Sequence, residues 1–345
     1  MLMVFVLAGA LWAVGWALKT PLRLRWGMIL ALWLGVVAGH LLLPEGHPLR
    51  MATGERAEVW LAVGVVALVA ALYRAGLTRL KRRVAARTTP DKPGAFRPAE
   101  LERYARHIML REIGGPGQRR LKDAKVLVVG AGGLGSPALL YLAASGVGTI
   151  GVIDGDRVEN SNLQRQVIHT DARIGLPKVA SAEVQMRALN PFIEVRPYHR
   201  DLTEETAAGL LAEYDLILDG TDNFDTRYLV NRAAVAAGKP LIAGAIAQWE
   251  GQVSLYDPAR GGPCFECVFP VRPAPGLVPS CAEAGVAAPL PGVVGSMMAV
   301  EAVKHLTGAG ASLRGAVVIY DALWGETRRI ATKPRPGCPV CGGHG

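Results

Sequence analysis

The residues Gly130-Ala131-Gly132-Gly133-Leu134-Gly135 come directly after the apolar run Val126 to Val129 and open a helical pattern, and Asp154 closes the next apolar run. Glycines at this spacing let the backbone approach a phosphate, the helix start supplies free N–H groups, and the carboxylate accepts from ribose hydroxyls. Alone, this pattern fits any nucleotide; its commonest owner is a dinucleotide oxidoreductase, and a tight strand-to-helix turn without ligand is the bland alternative. The residues beyond Asp154 suit a dinucleotide less well. The stretch Asp156 to Gln166 carries Asn162 and Arg165, and Gly175-Leu176-Pro177-Lys178 opens a further helix, with Pro177 suited to the first helical position. A lysine in a first turn opposes the helix dipole unless an anion lies nearby. A triphosphate needs cations such as Arg165 and Lys178 more than a pyrophosphate does, although exposed surface charge is the default for either residue.

Asp219-Gly220-Thr221-Asp222-Asn223 places a second carboxylate just beyond a strand. Asp222 suits a magnesium ion shared with phosphate oxygens, and an Asx helix cap is the competing role for Asp222 or Asn223. Four of the five cysteines form two C-x-x-C pairs, Cys264/Cys267 and Cys338/Cys341. Four thiolates fill a tetrahedral zinc and leave no open position, which predicts a structural site rather than a redox pair. The fifth, Cys281, lies in a Pro-rich segment, Pro270 to Pro291, and is either a nucleophile or a small apolar residue. The seven histidines show no ligand spacing and receive no role.

These residues need a scaffold. Short β-rich runs (Val126 to Val129, Ile150 to Asp154, Ile193 to Tyr198, Leu216 to Asp219, Leu241 to Ala243) alternate with helical ones. That order predicts an α/β, Rossmann-like fold: a mostly parallel sheet with helices on both faces, binding its ligand at the carboxyl ends of the strands.

Upstream lie three apolar runs, 2–18, 26–43 and 59–73, none of which holds an Asp, Glu, Lys or Arg. They predict a membrane region over 1–87 with about three transmembrane helices, then a linker over 88–98 and a soluble domain over 99–345. A cleaved signal peptide fits the first run poorly, because Lys19, Arg23 and Arg25 stand where cleavage would fall. Residues 1–98 hold 13 basic and 4 acidic side chains, and the remainder is balanced at 25 and 25. The surplus therefore sits beside the apolar runs, which favours anionic lipid over nucleic acid. The basic flanks, Lys19 to Arg25 and Arg74 to Arg87, predict an outside N-terminus and a multi-pass protein of the inner (cytoplasmic) membrane with its catalytic domain in the cytoplasm.

Arg103-Tyr104-Ala105-Arg106-His107, the glycine loop, Ser161-Asn162-Leu163-Gln164-Arg165-Gln166, Gly175 to Lys178, Thr221-Asp222-Asn223, Glu250-Gly251-Gln252, Cys281 to Val286 and both cysteine pairs, in that order, resemble the ubiquitin-activating-enzyme-like family of sulfur-carrier adenylyltransferases, of MoeB and ThiF type. The resemblance spans about 99–341. It implies ATP, Mg²⁺ and Zn²⁺. ATP would be held by the glycine loop with Gly130, Gly132, Gly133 and Gly135, by Asp154 and Asp156, by Ser161, Asn162, Leu163, Gln164 and Arg165, and by Lys178, Asp222 and Asn223. Asp222 would position magnesium, and zinc would sit on Cys264, Cys267, Cys338 and Cys341. Arg106 matches an arginine that reaches the nucleotide of a neighbouring subunit, which implies a homodimer. The implied reaction joins AMP to the C-terminal glycine of a small ubiquitin-like sulfur carrier and releases pyrophosphate; a separate sulfur donor would act next. The wording around Cys281 resembles MoeB, hence a MoaD-type carrier and molybdenum cofactor synthesis, with a ThiS-type carrier of thiamine synthesis as the alternative. In ThiF-type enzymes the Cys281 position holds a thiol that links to the carrier. The membrane region departs from the family, and an inactive membrane scaffold is a remote alternative, since Arg106, Arg165, Lys178 and Asp222 are all present.

Overall fold

The computed structural model describes residues 2–54, 56–87, 96–273 and 284–342, of which 80–87 are described by backbone only. The chain divides into two units, Met1–Thr89 and Pro90–Gly345.

The first unit holds α1 (Leu2–Ala17), α2 (Leu22–Leu42), α3 (Pro48–Thr53) and α4 (Ala57–Arg87). By length and composition α2 and the Ala57–Arg79 part of α4 suffice to cross a bilayer, while α1 is shorter. Two boundaries differ from the sequence expectation. Arg23 and Arg25 belong to the first turn of α2 rather than to a loop, with Arg25 Nε donating to the Thr20 carbonyl at 3.0 Å. The helix of the third apolar run, α4, continues through the basic stretch to Arg87, since Leu, Arg, Lys and Ala are all good helix formers. Inside the unit, Trp33 Nε1 donates to the Trp60 carbonyl (2.9 Å), Trp60 Nε1 to the Thr53 carbonyl (3.1 Å), and Thr53 Oγ1 lies 2.9 Å from Nε2 of the buried His40. Outward it presents Phe5, Val6, Leu30, Leu34, Val65, Val66, Leu68 and Val69. Its surface is thus largely apolar, and of its described buried residues only His40 carries a polar side chain besides the Trp60 indole N–H.

The second unit starts with α5 (Pro98–Ile108), whose first turn is fixed by Arg97 N–H donating to Glu100 Oε2 at 2.8 Å. The expected linker thus ends before Pro98; its residues 88–95 lie outside the described ones. After α6 (Gly114–Asp123) come β1 (Lys125–Val129), α7 (Gly135–Ser145), β2 (Thr149–Ile153), α8 (Lys178–Leu189), β3 (Glu194–Tyr198), α9 (Glu204–Ala212), β4 (Leu216–Asp219), α10 (Phe224–Ala236), β5 (Leu241–Ala247), β6 (Glu250–Tyr256), α11 (Phe265–Val268), α12 (Leu290–Thr307), β7 (Ala316–Asp321) and β8 (Glu326–Ala331). Among the described residues they form an eight-stranded sheet in the order β3-β2-β1-β4-β5-β6-β7-β8. The first five strands are parallel, as expected, and β6, β7 and β8 extend the sheet antiparallel.

Successive strand residues face opposite sides. Val126, Val128, Ile150 and Val152 pack with α7, α8 and α12 on one face, while Leu127, Val129, Ile153 and Ile217 pack with α9 and α10 on the other. All of these side chains are buried, so β1 and β2 read as continuous apolar runs in the sequence. From β1 the chain returns to β2 on one side, and β4 lies on the other. This reversal opens a crevice beyond the carboxyl ends of β1 and β4, where such sheets bind ligands.

Candidate nucleotide site and metal centre

The crevice is a cavity of about 820 Å³ lined, among others, by Gly130, Gly132, Gly133, Asp154, Asp156, Arg165, Gln166, Lys178, Asp222 and Asn223. Its floor is the glycine loop. Gly130 turns at φ +93°, and its N–H donates to the Ile153 carbonyl at 2.9 Å. Gly135 does not line the cavity: a Cβ there would stand 2.0 Å from the Gly130 carbonyl oxygen, so this glycine lets α7 start directly behind the loop. Asp154 is already engaged from both oxygens, Oδ2 accepting from Ala131 N–H and Oδ1 from Asp156 N–H, each at 2.8 Å. It therefore shapes the loop as well as facing the cavity.

Arg165 is pre-oriented by its own turn, with Nη1 donating to the Ser161 carbonyl (3.2 Å) and Nη2 to Asn162 Oδ1 (3.1 Å). Ser161, Asn162, Leu163 and Gln164 do not line the cavity themselves; this short turn presents Arg165. Lys178 is the first residue of α8, and Pro177 is the residue before it, one place earlier than the sequence suggests. The lysine that opposes the helix dipole is matched by Asp156, whose Oδ2 accepts from Nζ at 2.7 Å. The lysine side chain is 7% exposed and the aspartate 70%. An ammonium is thus held inside the cavity by a carboxylate that water already solvates.

Asp222 faces the cavity and makes no hydrogen bond or ion pair with any described residue. Asn223 has the capping role: its Oδ1 accepts from Thr226 N–H at 2.8 Å and starts α10. A free carboxylate beside a cationic cavity fits a magnesium ion shared with phosphates. Arg106, on α5, does not line the cavity of its own chain, and Cys281 lies outside the described residues.

Several contributors carry no sequence signal. His169 sits buried under the glycine loop, with Nε2 2.9 Å from the Ala131 carbonyl and Nδ1 3.0 Å from Ser181 Oγ. Burial, with the charges of Lys178 and Arg173, outweighs its bond to that carbonyl and holds its pKa below the usual imidazole value. The neutral ring donates from Nε2 and accepts at Nδ1, a histidine used as a loop support rather than as a ligand. Arg227 and the aromatic pair Phe265 and Phe269 also line the cavity.

The four cysteines of the two C-x-x-C pairs meet: Cys264 Sγ lies 3.7 Å from Cys267 and 3.6 Å from Cys338, and Cys267 3.4 Å from Cys341. All four sulfurs fall within 4.8 Å of one another, three of the residues being buried. Zinc–sulfur bonds of about 2.3 Å give a tetrahedron with edges of about 3.8 Å, so the set fits zinc with only small adjustment. It ties α11 to the segment near the chain end.

Fold and site together define a nucleotide-binding α/β protein with a four-thiol cluster of a shape that fits zinc. Residues 104–340 match the model of the ThiF family, and the chain belongs to that family. It is similar to the sulfur carrier protein adenylyltransferase of Thermus thermophilus, 53% identical over 247 residues that cover 70% of this chain and 91% of that one. It is similar also to the probable adenylyltransferase/sulfurtransferase MoeZ of Mycobacterium tuberculosis, 51% identical over 252 residues covering 72% of this chain and 64% of that one. Among solved structures, Escherichia coli MccB with ATP superimposes with a TM-score of 0.60 at 26% identity, covering 70% of this chain and 74% of the other.

Proposed function

We propose that this chain, an adenylyltransferase of the sulfur-carrier-activating type, adenylates a MoaD-type carrier, the small subunit of molybdopterin synthase. The adenylyltransferase chemistry goes with the family and with the 53% identical relative; the choice of carrier rests on the wording Glu283-Ala284-Gly285-Val286 and Ala288-Pro289-Leu290. The observation that carries the reaction is the convergence of Arg165, Lys178 and the unpartnered Asp222 on the glycine loop within one cavity.

A carboxylate oxygen of the carrier's terminal glycine attacks the α-phosphorus, the bond from that phosphorus to the bridging oxygen breaks, and pyrophosphate leaves with the electron pair. No proton moves, so no general base is needed, and the protein acts by positioning and by charge. Lys178 and Arg165 neutralise phosphate charge as it shifts to the leaving group. Bound magnesium, held on Asp222, would supply further neutralisation. Zinc on the four cysteines would hold α11, and with it Phe265, against the cavity wall.

The membrane reading rests on the apolar side chains that the first unit exposes and on the two helices long enough to span. A tether at the inner membrane, with the second unit cytoplasmic and Arg106 completing a neighbour's site in a homodimer, is part of the proposal. Carrier-dependent ATP–pyrophosphate exchange tests the chemistry: exchange with a MoaD-type but not a ThiS-type carrier supports this reading, the reverse supports the thiamine alternative, and none with either refutes both.

A further inference from the structure

Asp222, as a magnesium-positioning carboxylate, must be held at a fixed place against the phosphates, yet its side chain has no partner among the described residues. Its position is set by its flanking peptides. On the far side, Asn223 caps α10. On the near side, the Thr221 hydroxyl (2.6 Å) and N–H (2.9 Å) both donate to Asp219 Oδ1, and the Thr221 carbonyl, which belongs to the peptide joining it to Asp222, accepts from Arg227 Nη2 at 2.7 Å. The same Nη2 donates to the Gly244 carbonyl of β5 at 2.9 Å. Arg227 Nε faces Asp219 Oδ2 at 3.8 Å, an oxygen with no hydrogen-bond partner of its own. Asp219 is fully buried and Arg227 is 6% exposed, its guanidinium 5.9 Å from the Phe265 ring centre.

We propose that Arg227 is a positioning residue for the reaction. One buried guanidinium, its charge facing that of Asp219, pins the Thr221–Asp222 peptide to β5 and so aims the Asp222 carboxylate into the cavity. This charged pair is a costly device for mere packing: a buried arginine must be matched by an equally buried carboxylate, whereas a well-packed apolar residue of the same volume is often as stable or more so. What the guanidinium adds is direction, since the two N–H groups of one Nη2, held in its plane, tie the Thr221 carbonyl to the Gly244 carbonyl of β5.

The inference rests on the proposed role of Asp222, and the test separates the two. In the full-length protein, Arg227→Lys keeps the positive charge facing Asp219 but gives up the planar guanidinium that ties the two carbonyls; Arg227→Met removes the charge as well. For each variant shown by zinc content and melting to be folded, exchange kinetics are measured with the active carrier, alongside hydrogen exchange of the peptide 220–226 in the free protein. A displacement on the order of an ångström costs roughly 100-fold in rate. The expected result is a fall in kcat of about that size in Arg227→Lys, with the KM for ATP changed by less than about threefold, and faster exchange of 220–226 while β1 and β2 stay protected. Unchanged kcat in folded Arg227→Lys, or a change confined to KM, overturns the proposal, and so does unaltered exchange of 220–226. Should Arg227→Met fail to fold, Arg227→Lys decides. Should the native protein exchange pyrophosphate with no carrier, the adenylation reading fails, while protection of 220–226 still decides whether Arg227 braces this turn.

Discussion

Replacing Lys178 by Met keeps the length of the side chain and removes its charge, which isolates the electrostatic part of the nucleotide site. The ammonium is nearly buried, so a phosphate oxygen meeting it at about 4 Å in a medium of effective dielectric constant near 20 gains about 4 kcal/mol. Asp156 already takes part of that field, and its competition lowers the expected loss to about 3–4 kcal/mol, or roughly 100- to 1,000-fold in kcat/KM. The fold should hardly notice. Asp156 is 70% exposed and stays solvated without its partner, and such exposed pairs contribute about 0–1 kcal/mol, which shifts Tm by no more than about 4 °C in a domain of this size. The assay is carrier-dependent ATP–pyrophosphate exchange with parallel melting. Retention of kcat/KM within about fivefold would refute the argument, because a cation that close to the phosphates could not then be absent from the transition state. A fall in Tm of about 10 °C or more would refute it from the other side by making Lys178 structural.

Asp222→Ala is expected to reduce exchange below about 1% of the native rate with Tm moved by less than about 2 °C, since the carboxylate has no partner among the described residues to lose; measurable turnover near the native rate would remove it from the mechanism. Elemental analysis should find one zinc per chain, and chelation should lower Tm by about 7–20 °C, the shift that a third of the about 10–16 kcal/mol typical of structural zinc gives at about 2–4 °C per kcal/mol. His169 supplies a pH signature. Its folded pKa is depressed, mainly by burial, so the unfolded chain binds the proton more readily, and stability is full above the unfolded value near 6.5 and is lost as pH falls below it. His305, also depressed by burial, acts in the same sense. Tm should therefore drop between about pH 7 and 5, and His169→Gln should flatten that slope in part; parallel slopes would show that His169 is not the titrating group.

Much of this site is legible in the sequence because its chemistry is local. The glycine loop with Asp154, the run ending in Arg165, and Lys178 all lie within the continuous stretch from β1 through α7 and β2 to the start of α8, where strand ends and helix starts bring short motifs together without long-range pairing. The inner parallel strands β1, β2 and β4 are readable for a related reason: burial on both faces leaves continuous apolar runs, whereas the edge strand β3 buries only Val195. The antiparallel strands give no comparable signal. β8, Glu326–Ala331, is exposed along its whole length, and β6 and β7 carry Gly251, Gln252, Ser254 and Asp321 among their apolar residues. Their pairing depends on partners up to 71 residues away, as for Glu250 against Asp321, and no local pattern encodes that.

Lys178 and Arg227 show the limit of legibility more sharply. Both are single cations near the start of a helix, and by residue type alone neither ranks above the other as anything but surface charge. Lys178 stands out because its place conflicts with the helix dipole; Arg227 lies a turn further in, where that conflict has faded. What makes Arg227 distinctive is Asp219, and the sequence hides that too, since Asp219 reads only as the last residue of an apolar strand. The pair becomes visible once β4 and β5 are laid side by side and the Gly244 carbonyl is found on the same nitrogen as the Thr221 carbonyl. A motif records which groups meet the ligand. The groups that hold a free carboxylate such as Asp222 in place are recorded by the sheet order, because the brace must cross from one strand to the next.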